Sequence, residues 1–351
     1  MPTTIFGTHV MFRVIIPLFH FTTNGDTFVC TGDYLGCKYE INIREYQLEG
    51  ISADAMLPEH SYSELMEYTS EDSKQRLKDI HKHQRHHFTP TKCFLVLDYY
   101  QEVGDPNDPT YLYCDTPELG KLREHSLQAL RLHATRGAIH YDTYIFNTNR
   151  ADQSYSSVSS WVSDKFPTLL DSIPFQPSEF TAAEFDSCRR SLQLLLSHSW
   201  YKDTQYRRVL KLAISYHWYS LRVERWEHGY MMLAIAFEAM FKADSKEPVN
   251  RAIRRLCCIL SKSKTEYSQL AASLNDRSIT GYSKIRNAIA HGDAAYDYNT
   301  IGDAFNMFSP YVRKSIIALL QVSDETIPES TDYYDSLNSY LEDKFARLPT
   351  T

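Results

Sequence analysis

Apolar residues in the second half of the chain recur at helical steps, whereas those in the first half cluster in short runs between turn residues. Ile279, Tyr282, Ile285 and Ile289 return every three or four positions, which predicts an amphipathic helix with one apolar stripe turned inward. Gly292 is its expected stop, since glycine takes the left-handed conformation of helix ends at little cost. Thr181-Ala182-Ala183-Glu184 has the form of a capping box and opens this helical half. Residues 11–21, 37–46, 92–101 and 138–147 are rich in Val, Ile, Tyr and Phe and are bounded by Gly, Pro and Asp, so they read as strands. A helix interrupts them. Thr116-Pro117-Glu118 is its start signal, and Leu119, Leu122, Leu127 and Leu130 are its apolar face.

Ser and Thr crowd 154–163, and Pro167, Pro174 and Pro177 follow, which marks a linker. The pattern therefore predicts an α+β chain: a β-rich mixed regulatory or sensor domain at 1–165, a linker at 166–180, an all-α helical bundle at 181–345 and a tail at 346–351. The acidic stretch from Asp324, with Asp332 and Asp335, reads either as a last helix or as a mobile segment. A chain of 351 residues has room for two such domains, each burying its own core.

Composition narrows the class. With 43% hydrophobic and 23% charged residues this is an ordinary globular chain. Seven cysteines contain no Cys-x2-Cys, and an odd number argues against a secreted disulfide framework, so a reducing cytoplasm is expected. No metal and no cofactor are expected. The amino terminus has no basic region ahead of an apolar core, so no signal peptide is expected. The longest apolar helical run, 231–241, carries Glu238 and is too short to span a bilayer, so no membrane partner is expected.

A net charge of -7 argues against a nucleic-acid partner until it is divided along the chain. Residues 1–200 and 291–351 are acidic in balance, while 201–290 carries a positive excess. Within that segment Arg251, Arg254, Arg255 and Lys262 fall on one helical face, opposite Ile253, Leu256, Cys257 and Leu260. Such a face is ordinarily just solvated; its alternative use, together with Lys284, is contact with an RNA backbone, where Lys and Arg give affinity without sequence choice.

That basic segment ends in Arg286-Asn287-Ala288-Ile289-Ala290-His291-Gly292. Arg is a permanently charged fork that suits phosphate oxygens, and His both gives and takes a proton near pH 7. Asn can position a ribose or phosphate oxygen. The three suffice for RNA cleavage without a metal. A second Arg-x4-His, Arg76 to His81, lacks the Asn and the Gly. On one helix Asn287 and His291 share a face, but Arg286 and His291 point about 140° apart. One copy aims them poorly at a single atom. A site built where two copies meet removes the difficulty, which makes a homodimer part of the expectation.

These residues resemble the signature of the HEPN superfamily, an Arg followed by a polar residue, several spacers and a His. The chain is similar in particular to the ApeA-like HEPN branch of bacterial anti-phage proteins. Ala236-Phe237-Glu238-Ala239-Met240-Phe241 with Asp244-Ser245 resembles that branch's helix ending in Leu-Glu-x-Leu-Phe, and the helix with Arg251, Arg254 and Arg255 follows in the expected order. The similarity covers about residues 180–345, with a weaker stretch at Ala129-Leu130-Arg131-Leu132; Phe237 replaces the usual Leu. The resemblance implies an all-helical, dimeric, metal-independent endoribonuclease with Arg286, Asn287, His291 and Glu238 at its site. It further implies RNA as substrate, tRNA being one candidate, a role in growth arrest or abortive infection, and a phage-derived trigger or inhibitor sensed by the amino-terminal domain. Glu238 would hold Arg286 or His291, or serve only as a structural salt bridge.

Three features have a plainer reading beside a functional one. His81, His83, His86 and His87 lie in a basic stretch without the carboxylate or Cys partners of a metal site, so a solvated segment is the simpler reading, with RNA or partner contact as the other. Tyr282, Tyr296 and Tyr298 flank the motif, as core aromatics or as platforms for bases. The rival readings of the whole chain are a non-catalytic HEPN module that binds RNA or a partner protein, and a nucleotide-binding partner of a separate enzyme.

Overall fold

The computed structural model describes residues 9–18, 21–23, 28–35, 37–45, 93–102, 117–133, 142–148, 155–162, 178–221, 223, 225–244, 246–275, 281–291, 298–322, 326–327 and 332–350. The chain is α+β, with the strands confined to residues 9–179 among the described residues. It divides into two compact units. The first comprises 1–165 and 175–196, and the second 166–174 and 197–351.

The first unit is built on a sheet of six antiparallel strands: β1 (His9–Leu18), β3 (Phe28–Tyr34), β4 (Cys37–Glu45), β5 (Cys93–Glu102), β6 (Asp142–Thr148) and β7 (Tyr155–Val162), in the order β3-β4-β5-β1-β6-β7. β2 (Phe21–Thr22) pairs separately, in parallel, with β8 (Ser178–Glu179). The four strands expected from the apolar runs are β1, β4, β5 and β6. β3 and β7 form the two edges and were not expected; residues 154–163, read as linker, are mostly β7. In β3, Phe28, Cys30 and Tyr34 are buried while Val29, Thr31 and Asp33 are exposed, the period of two of a strand with one packed face. The β3–β4 hairpin pairs Tyr34 with Cys37 and turns through Leu35, whose φ of 51° is the left-handed value that tight hairpin turns require. β5 is buried continuously from Leu95 to Tyr99, as a central strand covered on both faces is.

Two helices belong to this unit among the described residues. α1 (Pro117–His133) starts at the expected Pro117 and buries Leu119, Leu122, Leu127 and Leu130. α2 (Ala182–Leu196) opens with the expected capping box: the Thr181 amide donates to Glu184 at 2.8 Å, and the Glu184 amide donates to Thr181 Oγ1 at 3.4 Å. α2 was expected to open the helical bundle, yet it belongs to the first unit. Its buried stripe of Phe185, Cys188, Ser191 and Leu192 packs on α1 and β3, with Phe185 against Phe28 at 5.5 Å and His133 bonded to Ser191 at 2.9 Å. Arg189 also donates to the Val29 carbonyl, which ties the helix to the sheet edge.

The second unit is helical throughout its described residues. After a short 3-10 turn (His198–Tyr201) come α3 (Gln205–Ser220), α4 (Trp226–Phe241), α5 (Val249–Leu260), α6 (Lys264–Leu274), α7 (Tyr282–His291), α8 (Tyr298–Leu320) and α9 (Tyr333–Arg347). α4 and α8 form its centre. α4 packs on α3, α5, α7 and α8, and its apolar run Leu233, Ala236, Phe237, Met240 and Phe241 is fully enclosed. The acidic segment does end in a helix, α9, begun by Asp332, whose carboxylate accepts the amides of Tyr334 and Asp335. The tail then docks on α6: Lys264 donates to the Pro349 carbonyl and Thr265 to that of Thr350. No helix among the described residues is long and apolar enough to cross a membrane.

Candidate functional site

The motif helix α7 begins where the Gly281 carbonyl accepts the amides of Lys284 and Ile285. Tyr282 and Ile285 of the stripe read from the sequence are buried, with Ala288 beside them, while Ile289 is half-buried and Ile279 lies outside the described residues. Tyr282 is only 2% exposed, within an aromatic cluster in which its ring lies 4.9 Å from Phe237 and 4.9 Å from Phe308. A ring packed on this many sides has no free face for a base, so of the two readings of Tyr282 the core aromatic is the one that holds. Tyr296, Gly292 and the cluster from His81 to His87 lie outside the described residues, as does the side chain of Tyr298.

Burial of that stripe sets the fate of the polar positions. Lys284, Asn287 and His291, spaced by three and four, are exposed together on the outer face. Arg286 sits at the border and turns towards α4, where its Nε lies 3.3 Å from Oε1 of Glu238. That contact is an ion pair without hydrogen-bond alignment, for Nε is buried and has no hydrogen-bond partner. Nη1 donates to Asn287 Oδ1 at 3.3 Å. The Tyr282 hydroxyl donates to the same Glu238 oxygen at 3.1 Å, and Lys242 lies 3.6 Å from Oε2. Burial and the adjacent Glu238 carboxylate push the Tyr282 hydroxyl well above its ordinary value, so it remains a donor.

Glu238, Arg286 and Asn287 are thus brought together. His291 is not: among the described residues no hydrogen bond or ion pair joins it to any of the three. The sequence reading missed Tyr282 and Lys242 as partners of Glu238. Lys242 was findable, because a Glu four residues before a Lys on one helix is a favourable pair; the Tyr282 contact spans 44 residues and has no such local sign.

The end of α4 is fastened from outside. A helix leaves its last carbonyls without internal partners. Here Ala239 accepts from the Tyr334 hydroxyl at 2.8 Å, Met240 from the Tyr333 hydroxyl at 3.0 Å, and Phe241 from Arg255 Nη1 at 2.5 Å. Glu238 therefore stands on a turn held by α5 and α9.

Arg255 is the hub of this fastening, which withdraws it from the expected RNA contacts. Its side chain is 7% exposed and that of Glu247 5%. Nη1 and Nη2 donate to the two Glu247 oxygens at 2.7 and 2.8 Å, and Nε donates to Asn338 at 2.8 Å. Burial opposes the Glu247 charge, but the bonds from Arg255 and the Ala243 amide outweigh it and hold the carboxyl below its usual range. Arg251 lies 3.4 Å from Glu247 and remains exposed, as do Arg254, Lys262 and Lys284. Four of the five expected RNA-contact residues are thus on the surface. No family model, curated protein or solved structure matches this chain.

Proposed function

We propose that the chain is a metal-independent endoribonuclease of the HEPN type, acting as a homodimer on cellular RNA, with tRNA a candidate. The observation that carries this reading is the pairing of Arg286 with Glu238 beside an exposed Lys284, Asn287 and His291. An arginine held by a carboxylate on the packed side, next to an uncommitted histidine on the wet side, is a pair in which one member is placed and the other can exchange protons.

The chemistry needs only those groups and the substrate's own nucleophile. His291 takes the proton of the ribose 2'-hydroxyl as its oxygen attacks phosphorus. Arg286 stabilises the charge that develops on the non-bridging oxygens, and Asn287 orients the phosphate or ribose. The bond from phosphorus to the 5'-oxygen breaks and that oxygen takes a proton from the imidazolium of His291 or from water, which leaves a 2',3'-cyclic phosphate and a 5'-hydroxyl. Arg251, Arg254, Lys262 and Lys284 contact the RNA backbone. Two copies of α7 facing each other across a two-fold axis supply Arg286 and His291 to one cleft. The biological role, which rests on the family resemblance, is growth arrest or death of phage-infected cells, with the first unit as the sensor.

A second reading is a non-catalytic RNA- or partner-binding module, favoured by the lack of any bond between His291 and Arg286 within one chain. Incubating the purified protein with total tRNA in excess chelator separates the two. Fragments ending in a cyclic phosphate are expected, and intact tRNA, bound but uncut, supports the module instead.

A further inference from the structure

α5, α6 and α9 together form an open groove of about 610 Å³ on the second unit, with walls that combine charge and aromatic surface. Arg251 and Arg254 of α5 line it. Arg254 is exposed and, among the described residues, has no ion-pair partner; Arg251 is 66% exposed beside a Glu247 already bonded twice by Arg255. Tyr267 of α6 and Phe345 of α9 meet edge to face in the groove with centroids 4.9 Å apart. Phe345 keeps 38% of its surface in water. The Lys264 ammonium lies 5.8 Å from that ring, so a further cation accompanies it, while Glu342 is the carboxylate among the lining residues.

Two guanidiniums and a lysine around an aromatic pair, of which Phe345 is exposed and Tyr267 half-buried, suit a ligand that joins a flat ring to an anion. An aliphatic ligand leaves the arginines without a partner, and a simple anion leaves Phe345 in water. A nucleotide satisfies both, since bases stack on aromatic rings while phosphates take the arginine forks. We propose that this groove binds a nucleotide unit, with the base against Phe345 and the phosphate at Arg251 and Arg254. The unit is supplied by an RNA strand or by a free mononucleotide. Only the RNA source rests on the foregoing reading.

The test is direct binding to the full-length chain by fluorescence anisotropy, using labelled single-stranded oligouridine of about 12 nucleotides, a length suited to such grooves, with AMP and inorganic phosphate as competitors. A His291→Ala background prevents cleavage. Phe345→Ala is expected to weaken binding about tenfold, as loss of one stacked base does, and Phe345→Tyr to restore it. Arg254→Ala, an exposed change that spares the fold, is expected to weaken binding and to reduce the salt slope by about one. Displacement by AMP identifies a free nucleotide as the source, and binding of the oligonucleotide with no displacement by AMP identifies RNA. Equal competition by phosphate and AMP denies the base its role and overturns the proposal. So does unchanged binding by both Arg254→Ala and Phe345→Ala, or failure of the parent to bind either probe. A chain that binds in this way yet cuts no RNA defeats the nuclease reading alone; one that cuts RNA while both variants bind as the parent does defeats this one alone.

Discussion

One oxygen of Glu238 on α4 serves two residues of α7: Oε1 lies 3.3 Å from Nε of Arg286 and accepts the Tyr282 hydroxyl at 3.1 Å. The two residues are four apart, so a single carboxylate fixes both the rotation of α7 on α4 and the direction of the guanidinium. Because Glu238 itself is held by the bonded end of α4, Arg286 is positioned from the core outward.

Glu238→Gln should therefore change activity more than stability. The pair is partly exposed, with 33% of the Arg286 side chain and 22% of the Glu238 side chain accessible, and such a pair contributes on the order of 1 kcal/mol or less. Denaturant unfolding should show at most that loss. Cleavage should fall by at least about tenfold, the factor that 1.4 kcal/mol of lost transition-state stabilisation produces. Full cleavage by the variant, with the expected small loss of stability, counts against a positioning role.

His291→Ala and Arg286→Ala should each eliminate cleavage and cellular toxicity. His291 is exposed, so its replacement should alter stability by no more than about 0.5 kcal/mol. Asn287→Ala should be weaker in effect. Product analysis by end-labelling in excess EDTA should show 5'-hydroxyl ends; 5'-phosphate ends, or activity regained only with added magnesium or manganese, overturn the mechanism.

Arg255 and Arg254 are neighbours with opposite fates. Arg255→Ala leaves the buried Glu247 without its main partner and should cost about 3–5 kcal/mol, whereas Arg254→Ala should stay within about 0.5 kcal/mol. The pH dependence has a definite sign. The Glu247 carboxyl is lower in the folded chain than its usual 4.5, so its contribution is complete above that pH and disappears as the pH falls through the folded value. Glu247→Gln should flatten the acid limb of a stability profile below about pH 4.5, with little change in its shape above it. Equal effects of the two arginine changes in urea unfolding contradict this assignment.

The shared site can be tested by mixing subunits. Heterodimers of Arg286→Ala with Arg286-intact His291→Ala chains should recover partial activity that neither parent homodimer shows, if one cleft takes its arginine from one chain and its histidine from the other. Light scattering provides the stricter check: a chain that is monomeric at working concentration and cleaves at full rate rules the shared site out.

Local patterns were legible wherever neighbours in sequence are also neighbours in space. The α7 stripe, the Thr181–Glu184 box, the start of α1 and four inner strands depend on residues two to four apart, or on runs apolar enough to need burial from any partner. β3 and β7 were not legible, because each edge strand is paired on one side only and carries Thr, Ser, Gly or Asp among its apolar positions.

Sequence by itself determined that Arg286 and His291 leave one helix at divergent angles and that Asn287 and His291 share a face, since both follow from 100° per residue. Only the tertiary structure decided what each charge does. Arg255 has the same chemistry as Arg254 and sits one place along, yet it is buried because Glu247, Asn338 and the end of α4 meet around it from positions up to 83 residues away. α2 joined the first unit for the same reason: its cap is local, but the surface that buries its apolar stripe is supplied by α1 and β3. A burial site for a charge, or a partner for a stripe, is a property of elements distant in the chain, and helical periodicity carries no record of it.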